Sequence, residues 1–264
     1  RQPRSITPSN LKTNIPWGPD LDDRHDTSEI IRIYFQNVNG FRRGCNGLDI
    51  LDFFCDMKSI DADIIAINEP NLNLRHPYIR RLFFQHQRQV WEHSKFSFSS
   101  SNIDTGLQKP GGTILGITGN LTSRVIESTA DNMGRWSSLT LLGRLRAKIT
   151  VVCTYQVVDT RGPSGPTTAF TQQLLMLKRQ HRNNQKPRKE YQNDLRLFLE
   201  SKINDGHEIV LCGDLNKELG SSAGGMTQLA SDLGLIDIHT RELGLDNEVA
   251  TYARGTKRLD YILM

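Results

Sequence analysis

The spacing of hydrophobic positions along the chain predicts strands and helices that alternate from one end to the other. Apolar and polar residues alternate over residues 31–38, which predicts a strand that ends at the turn sequence Asn39-Gly40. Apolar runs predict further strands, and apolar positions at helical spacing predict helices between them. The strands are expected at 63–67, from 96 onward, and at 111–118, 135–143, 147–158, 206–216 and 259–264, and the helices at 48–59, 78–90, 170–179, 190–203 and 226–233. Because the two kinds of element mix without a break in composition, the sequence predicts one α/β domain.

The N-terminal part of the chain lacks this periodicity. Residues 1–28 are polar and contain proline, so we expect an extended arm ahead of a folded domain at 29–264. No apolar run is long enough to cross a bilayer, and the first residues lack the apolar core of a signal peptide, so no membrane is expected as a partner. The chain has no initiator Met, which indicates an excerpt from a longer protein.

The positive charges are clustered, although the formal net charge is only +4. Two stretches carry them: Lys178, Arg179, Arg182, Lys186, Arg188 and Lys189 with no intervening acid, and Arg75, Arg80, Arg81, Arg88 and Lys95. Clustered cations suit a polyanion such as nucleic acid. A solvated helix face or a mobile loop has the same composition, so charge alone leaves both interpretations open.

The cysteines argue against a zinc site. None of the four stands in a C-x-x-C pair. Cys153 and Cys212 lie within apolar runs and are predicted to be buried. Unpaired cysteines of this kind are typical of a reduced, intracellular compartment.

Polar side chains stand at the ends of several predicted strands. They are Asn37 and Asn39 after the first strand, Asn68 and Glu69 after the second, Tyr155 after "ITVVCT", Asp214 and Asn216 after "EIVLC", and Asp260 before "YILM". A single residue of this kind is usually a turn former or a strand cap. That explanation is weaker for all the segments together, because loops at one end of the strands gather the reactive groups in open α/β folds.

The chemistry of this set favours a divalent cation and a phosphate ester. Glu69 and Asn37 offer hard oxygen ligands, which suit Mg²⁺ better than zinc. Asp214 is a candidate to position or deprotonate water, Asn216 to orient the attacking group or the phosphate, and Tyr155 to donate to a developing oxyanion. A glycine-rich phosphate loop is missing from the sequence. Metal, positioned water and fixed donors together predict phosphodiester hydrolysis.

The motifs that carry these residues resemble a known superfamily. "QNVNG", "INEPN", "TYQ", "CGDLN" and "KRLDYIL", in this order and at these separations, look like the endonuclease/exonuclease/phosphatase superfamily. The resemblance runs from Ile31 to the C-terminus, and "GDLN" after an apolar strand is its most specific segment. "MGRWSSLTLL" resembles a further strand of the family. The resemblance implies a four-layer α/β/β/α sandwich of two mixed sheets.

The resemblance also implies roles for the matching residues. Asn37 and Glu69 match the residues at the metal, which is Mg²⁺ with Mn²⁺ able to substitute. Tyr155 matches a tyrosine that contacts the scissile phosphate. Asp214 and Asn216 match the pair that aligns the nucleophile.

Further positions match supporting and DNA-contacting residues of the family. Asp260 matches the aspartate that orients a catalytic histidine. Phosphate or DNA contacts are expected at Asn39, Thr251, Arg135, Lys178, Arg179 and Arg182. The basic segment at about 178–189 is an insertion, either a DNA-contacting arm or a disordered stretch.

Two details of the motifs indicate a branch of the superfamily. Abasic-site repair enzymes usually have "NVDG" in the first motif, whereas Asn39 replaces that Asp here, and "EP" follows the metal-site motif. Both details resemble the endonuclease domains of non-LTR (LINE-type) retrotransposons, which nick DNA and are covalently linked to a reverse transcriptase in a polyprotein. Such a protein acts in the nucleus. The alternatives are an abasic-site repair nuclease or another phosphodiesterase of the superfamily, and a non-catalytic nucleic-acid-binding domain.

One family motif is not present in the sequence. The family has an "S-D-H" strand after the "LDYIL" strand, and its His contacts the scissile phosphate. The chain stops at Met264, so we expect a fold without the final His-bearing strand and weak activity. His207 and His239 do not occupy the motif position and are predicted to lie in loops or on the surface.

Overall fold

The computed structural model describes residues 30–41, 48–159, 168–182, 186–220, 223–244, 250–251 and 256–264. The polar arm predicted at 1–28 lies outside these residues, as do positions 183–185 of the basic insertion. Residues Ile31–Met264 form one unit. None of the helices in the described part of the chain is both long and apolar enough to cross a membrane.

The described residues form nine strands and six α-helices. In chain order they are β1 (Ile33–Asn37), α1 (Leu48–Ser59), β2 (Ile64–Asn68), α2 (Pro77–Val90), β3 (Ser94–Ser99), β4 (Thr113–Thr118), β5 (Val125–Ala130), β6 (Trp136–Leu142), β7 (Lys148–Tyr155), α3 (Ala169–Arg179), α4 (Pro187–Asn204), β8 (His207–Asp214), α5 (Met226–Asp232), α6 (Ile238–Leu243) and β9 (Asp260–Leu263).

The strands form two mixed sheets. One has the order β1-β2-β4-β3 and the other the order β5-β6-β7-β8-β9. Each sheet contains one parallel pair, β1 with β2 and β7 with β8, while the other neighbours are antiparallel. Both parallel pairs are joined through helices, as a parallel connection requires.

Strand periodicity divides the apolar side chains between two cores. In β2, Ile64 and Ala66 pack into the core between the sheets, whereas Ile65 and Ile67 pack under α1 and α2. In β8, Val210 and Cys212 face the inter-sheet core and Leu211 faces the helices on the other side. Because both faces of these strands are buried, their sequences are continuous apolar runs and do not alternate.

The layers follow from these cores. Phe54 of α1 and Phe83 of α2 cover the four-stranded sheet, and Tyr191 and Leu195 of α4 cover the five-stranded sheet together with α5. The predicted four-layer sandwich of two mixed sheets is therefore confirmed. Cys153 and Cys212 are buried between the sheets, as their apolar surroundings predicted.

The prediction for His207 was wrong. This residue opens β8, is only 8% exposed, and its Nδ1 lies 2.8 Å from Thr150 Oγ1. The strand predicted at 206–216 contains this position, and β8 begins directly after the Asp205-Gly206 turn. His239 lies in the short helix α6.

Candidate active site

Three side chains lie next to each other across the five-stranded sheet. Tyr155 at the end of β7 is the register partner of Asp214 at the end of β8, and Asp214 is in turn the partner of Asp260 at the start of β9. Because β9 runs antiparallel to β8, its first residue lies at the same edge as the last residue of β8. Three segments that are far apart in sequence thus deliver two carboxyl groups and a phenol to one edge.

The four-stranded sheet delivers its polar residues to the same place. Asn37 and Asn68 are register partners at the ends of β1 and β2. Asn37 Nδ2 donates to Asp214 Oδ2 at 2.7 Å, which joins the two sheets at the site. Asn37 Oδ1 accepts from the Asn39 backbone N–H at 2.9 Å. Asn68 Nδ2 donates to the Thr154 carbonyl at 2.6 Å.

The turn after β8 is fixed around the Asp214 carboxylate. The Asn216 backbone N–H donates to Asp214 Oδ1 at 2.8 Å, and Asn216 Nδ2 donates to the Gln156 carbonyl at 2.7 Å. The Gln156 backbone N–H donates to the Asp214 carbonyl at 3.0 Å, and its side chain donates to the Leu215 carbonyl. The loops after β7 and β8 therefore hold each other in place.

Four residues of these loops adopt left-handed backbone conformations. Their φ values are +47° at Asn39, +49° at Glu69, +53° at Asn71 and +45° at Asn216. Asparagine tolerates this region, but a glutamate there is unusual. Backbone bonds hold Glu69 in place, since its N–H donates to the Gly112 carbonyl and its carbonyl accepts from the Gly40 N–H. Strained residues cluster at functional sites, so this arrangement indicates that the loops have a function besides joining the strands.

The strand ends surround an open cavity of about 910 Å³. Its lining consists of Phe35, Gln36, Asn37, Asn39, Glu69, Val158, Asp214, Asn216, Thr251, Leu259 and Asp260. Every ionisable residue in this lining is acidic. Tyr155 is buried next to the cavity, where its hydroxyl hydrogen-bonds Glu69.

The acidic side chains that line the cavity have no positively charged side chain beside them in the lining. Burial and then the neighbouring Asp260 raise the pKa of Asp214 to about 7. Burial also raises the pKa of Asp260, and its Oδ1 is buried without a hydrogen-bond partner. Burial and then the charge of Glu69 raise the pKa of Tyr155 well above its usual value, so its phenol is protonated. The site is therefore suited to receive a cation.

Only some of the residues expected to contact phosphate or DNA line the cavity. Thr251 lines the cavity, and its Oγ1 accepts from the Leu259 and Asp260 backbone N–H groups at 2.9 and 3.2 Å. Asn39 also lines the cavity. Lys178 and Arg179 are exposed in the last turn of α3 and are not part of the lining.

Arg135 and Arg182 are engaged elsewhere. Arg135 is 5% exposed, and its guanidinium donates to Asp131 and Asp194 at 2.6 and 2.8 Å. Arg182 donates to both Asp194 carboxylate oxygens and pairs with Glu190. Neither guanidinium lines the cavity, and acidic side chains neutralise both.

Three residues that organise the site were not among the predicted site residues. Asn68 and Gln156 were visible as the polar residues beside Glu69 and Tyr155, within "INEPN" and "TYQ". Arg188 belonged to the basic stretch and was not distinguished from its neighbours. In the structure its Nη1 donates to the Val157 carbonyl at 2.9 Å and its Nη2 to the Asn216 carbonyl at 3.3 Å.

Solved structures share this arrangement of sheets and helices. An endonuclease/exonuclease/phosphatase family protein from Leptotrichia buccalis matches with a TM-score of 0.52 and 14% identity, over 89% of this chain and 87% of that one. The chain has the endonuclease/exonuclease/phosphatase fold. AP endonuclease LMAP from Leishmania major matches at 0.55 and 16% identity, over 87% and 77% of the two chains. The 3′ phosphatase NExo from Neisseria, bound to a product DNA hairpin, matches at 0.51 and 17% identity, over 89% and 86%. No protein-family model and no curated protein matches the sequence.

The endonuclease/exonuclease/phosphatase fold implies a divalent cation, and the residues at the cavity fit one. The unpartnered Asp260 Oδ1 and the raised pKa of Asp214 show negative charge that no protein cation in the lining neutralises. Within the described segments, no three His, Cys, Asp or Glu side chains form a closed metal-binding group. An amide oxygen and water would therefore complete the ligand set, which is the kind of site that Mg²⁺ accepts.

Proposed function

We propose that this chain hydrolyses phosphodiester bonds of DNA with the help of a divalent cation, and that it nicks one strand of a duplex. The observation that carries this proposal is the convergence of Asn37, Glu69, Tyr155, Asp214 and Asn216 at one acidic cavity. These are the residue types that such a reaction needs: a cation site, a group to position water, and donors for the phosphate.

Each site residue has a separate role in this proposal. Glu69 and Asn37 would hold Mg²⁺ or Mn²⁺, which supplies positive charge to a phosphate oxygen. Asp214, with a pKa of about 7, suits the positioning and deprotonation of a water molecule near neutral pH. Asn216 fixes one carboxylate oxygen of Asp214 through its backbone N–H. The Tyr155 phenol is protonated, and it would donate to the charge that develops on the phosphate once its hydrogen bond to Glu69 is exchanged for one to the substrate.

Support for DNA as the substrate comes from proteins with the same fold. One of them is an AP endonuclease and another is a 3′ phosphatase bound to DNA. The finer part of the proposal, an endonuclease domain of a LINE-type retrotransposon polyprotein linked to a reverse transcriptase and acting in the nucleus, rests on Asn39 and on the "EP" after the motif glutamate.

A plasmid assay tests the reaction. Supercoiled DNA incubated with the chain and Mg²⁺ is expected to give open circles, and EDTA should abolish them. Asp214→Asn should lower the nicking rate by roughly two orders of magnitude or more, because the water loses its base. Glu208→Gln is the matched control, since it removes an exposed carboxylate at the other end of the same strand.

The outcomes separate the candidate functions. DNA binding that weakens with salt, with no nicking under any divalent cation, would contradict hydrolysis and favour the non-catalytic binding domain. Cleavage of an abasic duplex far faster than an intact duplex would favour the repair nuclease instead. Equal cleavage of both duplexes supports the retrotransposon-type endonuclease.

A further inference from the structure

Arg188 differs from the other cations of the basic stretch in where its side chain lies. It occupies the first turn of α4, after the buried Pro187, which is at the position where a helix accepts proline. Arg182 pairs with Asp194 and Glu190, whereas the half-buried Arg188 guanidinium reaches the loops of the candidate active site. The sequence stretch therefore contains residues with different roles.

The Arg188 guanidinium joins two loops. Its Nη1 donates to the carbonyl of Val157, two residues beyond β7, and its Nη2 donates to the carbonyl of Asn216, two residues beyond β8. The planar, forked arrangement of donors lets one guanidinium reach both carbonyls at fixed separation. A lysine ammonium is a single point on a flexible chain and cannot reproduce this geometry.

The contact to Asn216 lies at the residue that orders Asp214. Asn216 has a left-handed backbone with φ of +45°, and in this conformation its N–H donates to Asp214 Oδ1. A left-handed residue persists only when its surroundings hold it. Arg188 binds the carbonyl of this residue, while the Gln156 carbonyl binds its side chain.

The charge of Arg188 also bears on the site. The ionisable groups in the cavity lining are the acids Glu69, Asp214 and Asp260. Burial lowers the pKa of the Arg188 guanidinium, and the nearby carboxylates of Asp159 and Asp214 oppose that shift. Arg188 is not among the residues that line the cavity, so its guanidinium does not occupy the place of a bound metal.

We propose that Arg188 is a positioning residue for the reaction, which clamps the loops after β7 and β8 so that Asn216 holds the Asp214 carboxylate toward the cavity. This inference rests on the proposed function, because the consequence for catalysis requires that Asp214 acts in hydrolysis. The clamp itself is independent of any activity and can be measured without it.

Nicking kinetics give the first test. In Arg188→Ala we expect kcat to fall by roughly 10²-fold with KM unchanged, because a small misplacement of a catalytic group is costly. Arg188→Lys should recover little, whereas millimolar guanidinium ion should restore part of the activity of Arg188→Ala. Arg196→Ala is the matched control, since it removes the same charge from a later turn of α4, where Arg196 pairs with Asp232. A raised KM with normal kcat would overturn the inference and identify a substrate-binding residue.

Amide hydrogen exchange gives the second test, and it separates the two proposals. The exchange rate of the Asn216 backbone N–H should rise at least tenfold in Arg188→Ala and stay unchanged in Arg196→Ala. Thermal melting curves check that both variants are folded. Unchanged exchange at Asn216 overturns the clamp even if wild-type chain nicks DNA. Faster exchange in a chain whose wild type shows no nicking keeps the clamp and rejects the proposed function.

Discussion

Asn68 shows how a single buried amide ties the two sheets together beneath the site. Its Nδ2 donates to the Thr154 carbonyl on β7 at 2.6 Å, and its Oδ1 accepts from the Cys153 thiol at 3.1 Å. The residue is fully buried. A buried amide of this kind must be satisfied, so it fixes one relative position of the sheets. This contact therefore also sets the distance between Glu69 and Tyr155, which follow Asn68 and Thr154 in sequence.

Asn68→Ala should therefore destabilise the protein. The substitution leaves the Thr154 carbonyl without its inter-sheet donor, and a buried unsatisfied group of this kind costs about 1–3 kcal/mol. Urea unfolding followed by fluorescence measures the change. The control is Asn120→Ala, which removes an exposed amide from a short 3₁₀ helix. A loss no larger than that of the control would show that the buried bond contributes nothing.

The site residues divide into those that a sequence can predict and those that it cannot. Asp214, Asn216 and Glu69 follow apolar strands, so their position at a strand end is visible from hydrophobic patterning. Arg188 and Arg182 belong to the same basic stretch, yet Arg188 reaches the loops of the candidate active site and Arg182 pairs with Asp194 and Glu190. Which partner an arginine meets depends on packing between distant segments, and hydrophobic patterning does not record it.

The hairpin that joins β6 to β7 is an element whose turn sequence conflicts with its geometry. The Ala147 N–H donates to the Arg144 carbonyl, and the two central residues Leu145 and Arg146 have φ of +54° and +65°. Positive φ at both positions is the pattern of a type I′ turn, which favours Asn-Gly. Leu145 is also fully exposed, so no packing of its side chain offsets the strain.

Replacing the turn with its preferred residues should stabilise the protein. We expect the double variant Leu145→Asn, Arg146→Gly to raise the free energy of unfolding by about 1 kcal/mol. Leucine and arginine adopt left-handed backbone conformations less readily than asparagine and glycine do. Thermal and urea unfolding measure this. Arg144→Gly provides the contrast, because position 144 has no positive φ and glycine there should lower stability. A double variant less stable than wild type would contradict the assigned turn strain.

Element prediction succeeded for the strands with apolar runs or regular alternation and failed at the edge strand β5. Residues 48–59 were predicted as a helix with the bounds that α1 has, and β2, β7 and β8 followed from apolar runs. β5 was missed because the sequence of this edge strand has three consecutive polar residues, Glu127, Ser128 and Thr129, and neither an apolar run nor a regular alternation. α6 was missed because it has six residues, too few to establish a helical period.

At the scale of the whole molecule, the two sheets concentrate negative charge at their common edge. Asp214 and Asp260 are cross-strand neighbours, and both have a raised pKa because burial and nearby acids disfavour their ionised forms. The folded state therefore binds protons more tightly than the unfolded state at these carboxyls. By linkage, their contribution to stability falls as pH rises from about 4 toward 7, in the absence of a cation. A divalent cation held beside these carboxylates, as proposed, would offset part of this cost.

Removing one of these charges should therefore stabilise the protein when no cation is present. In Asp260→Asn at pH 8 with EDTA, we expect the free energy of unfolding to rise by about 1 kcal/mol, since a like charge next to Asp214 is lost. The unpartnered Asp260 Oδ1 gives up no hydrogen bond. Mg²⁺ should reduce the difference in free energy of unfolding between Asp260→Asn and the wild type, because it stabilises the wild type more than the variant. Unfolding curves at pH 5 and 8, with and without Mg²⁺, measure both effects, with Glu208→Gln as the control at an exposed position of β8. Loss of stability in Asp260→Asn under EDTA would mean that this carboxylate supports the fold, contrary to the charge argument.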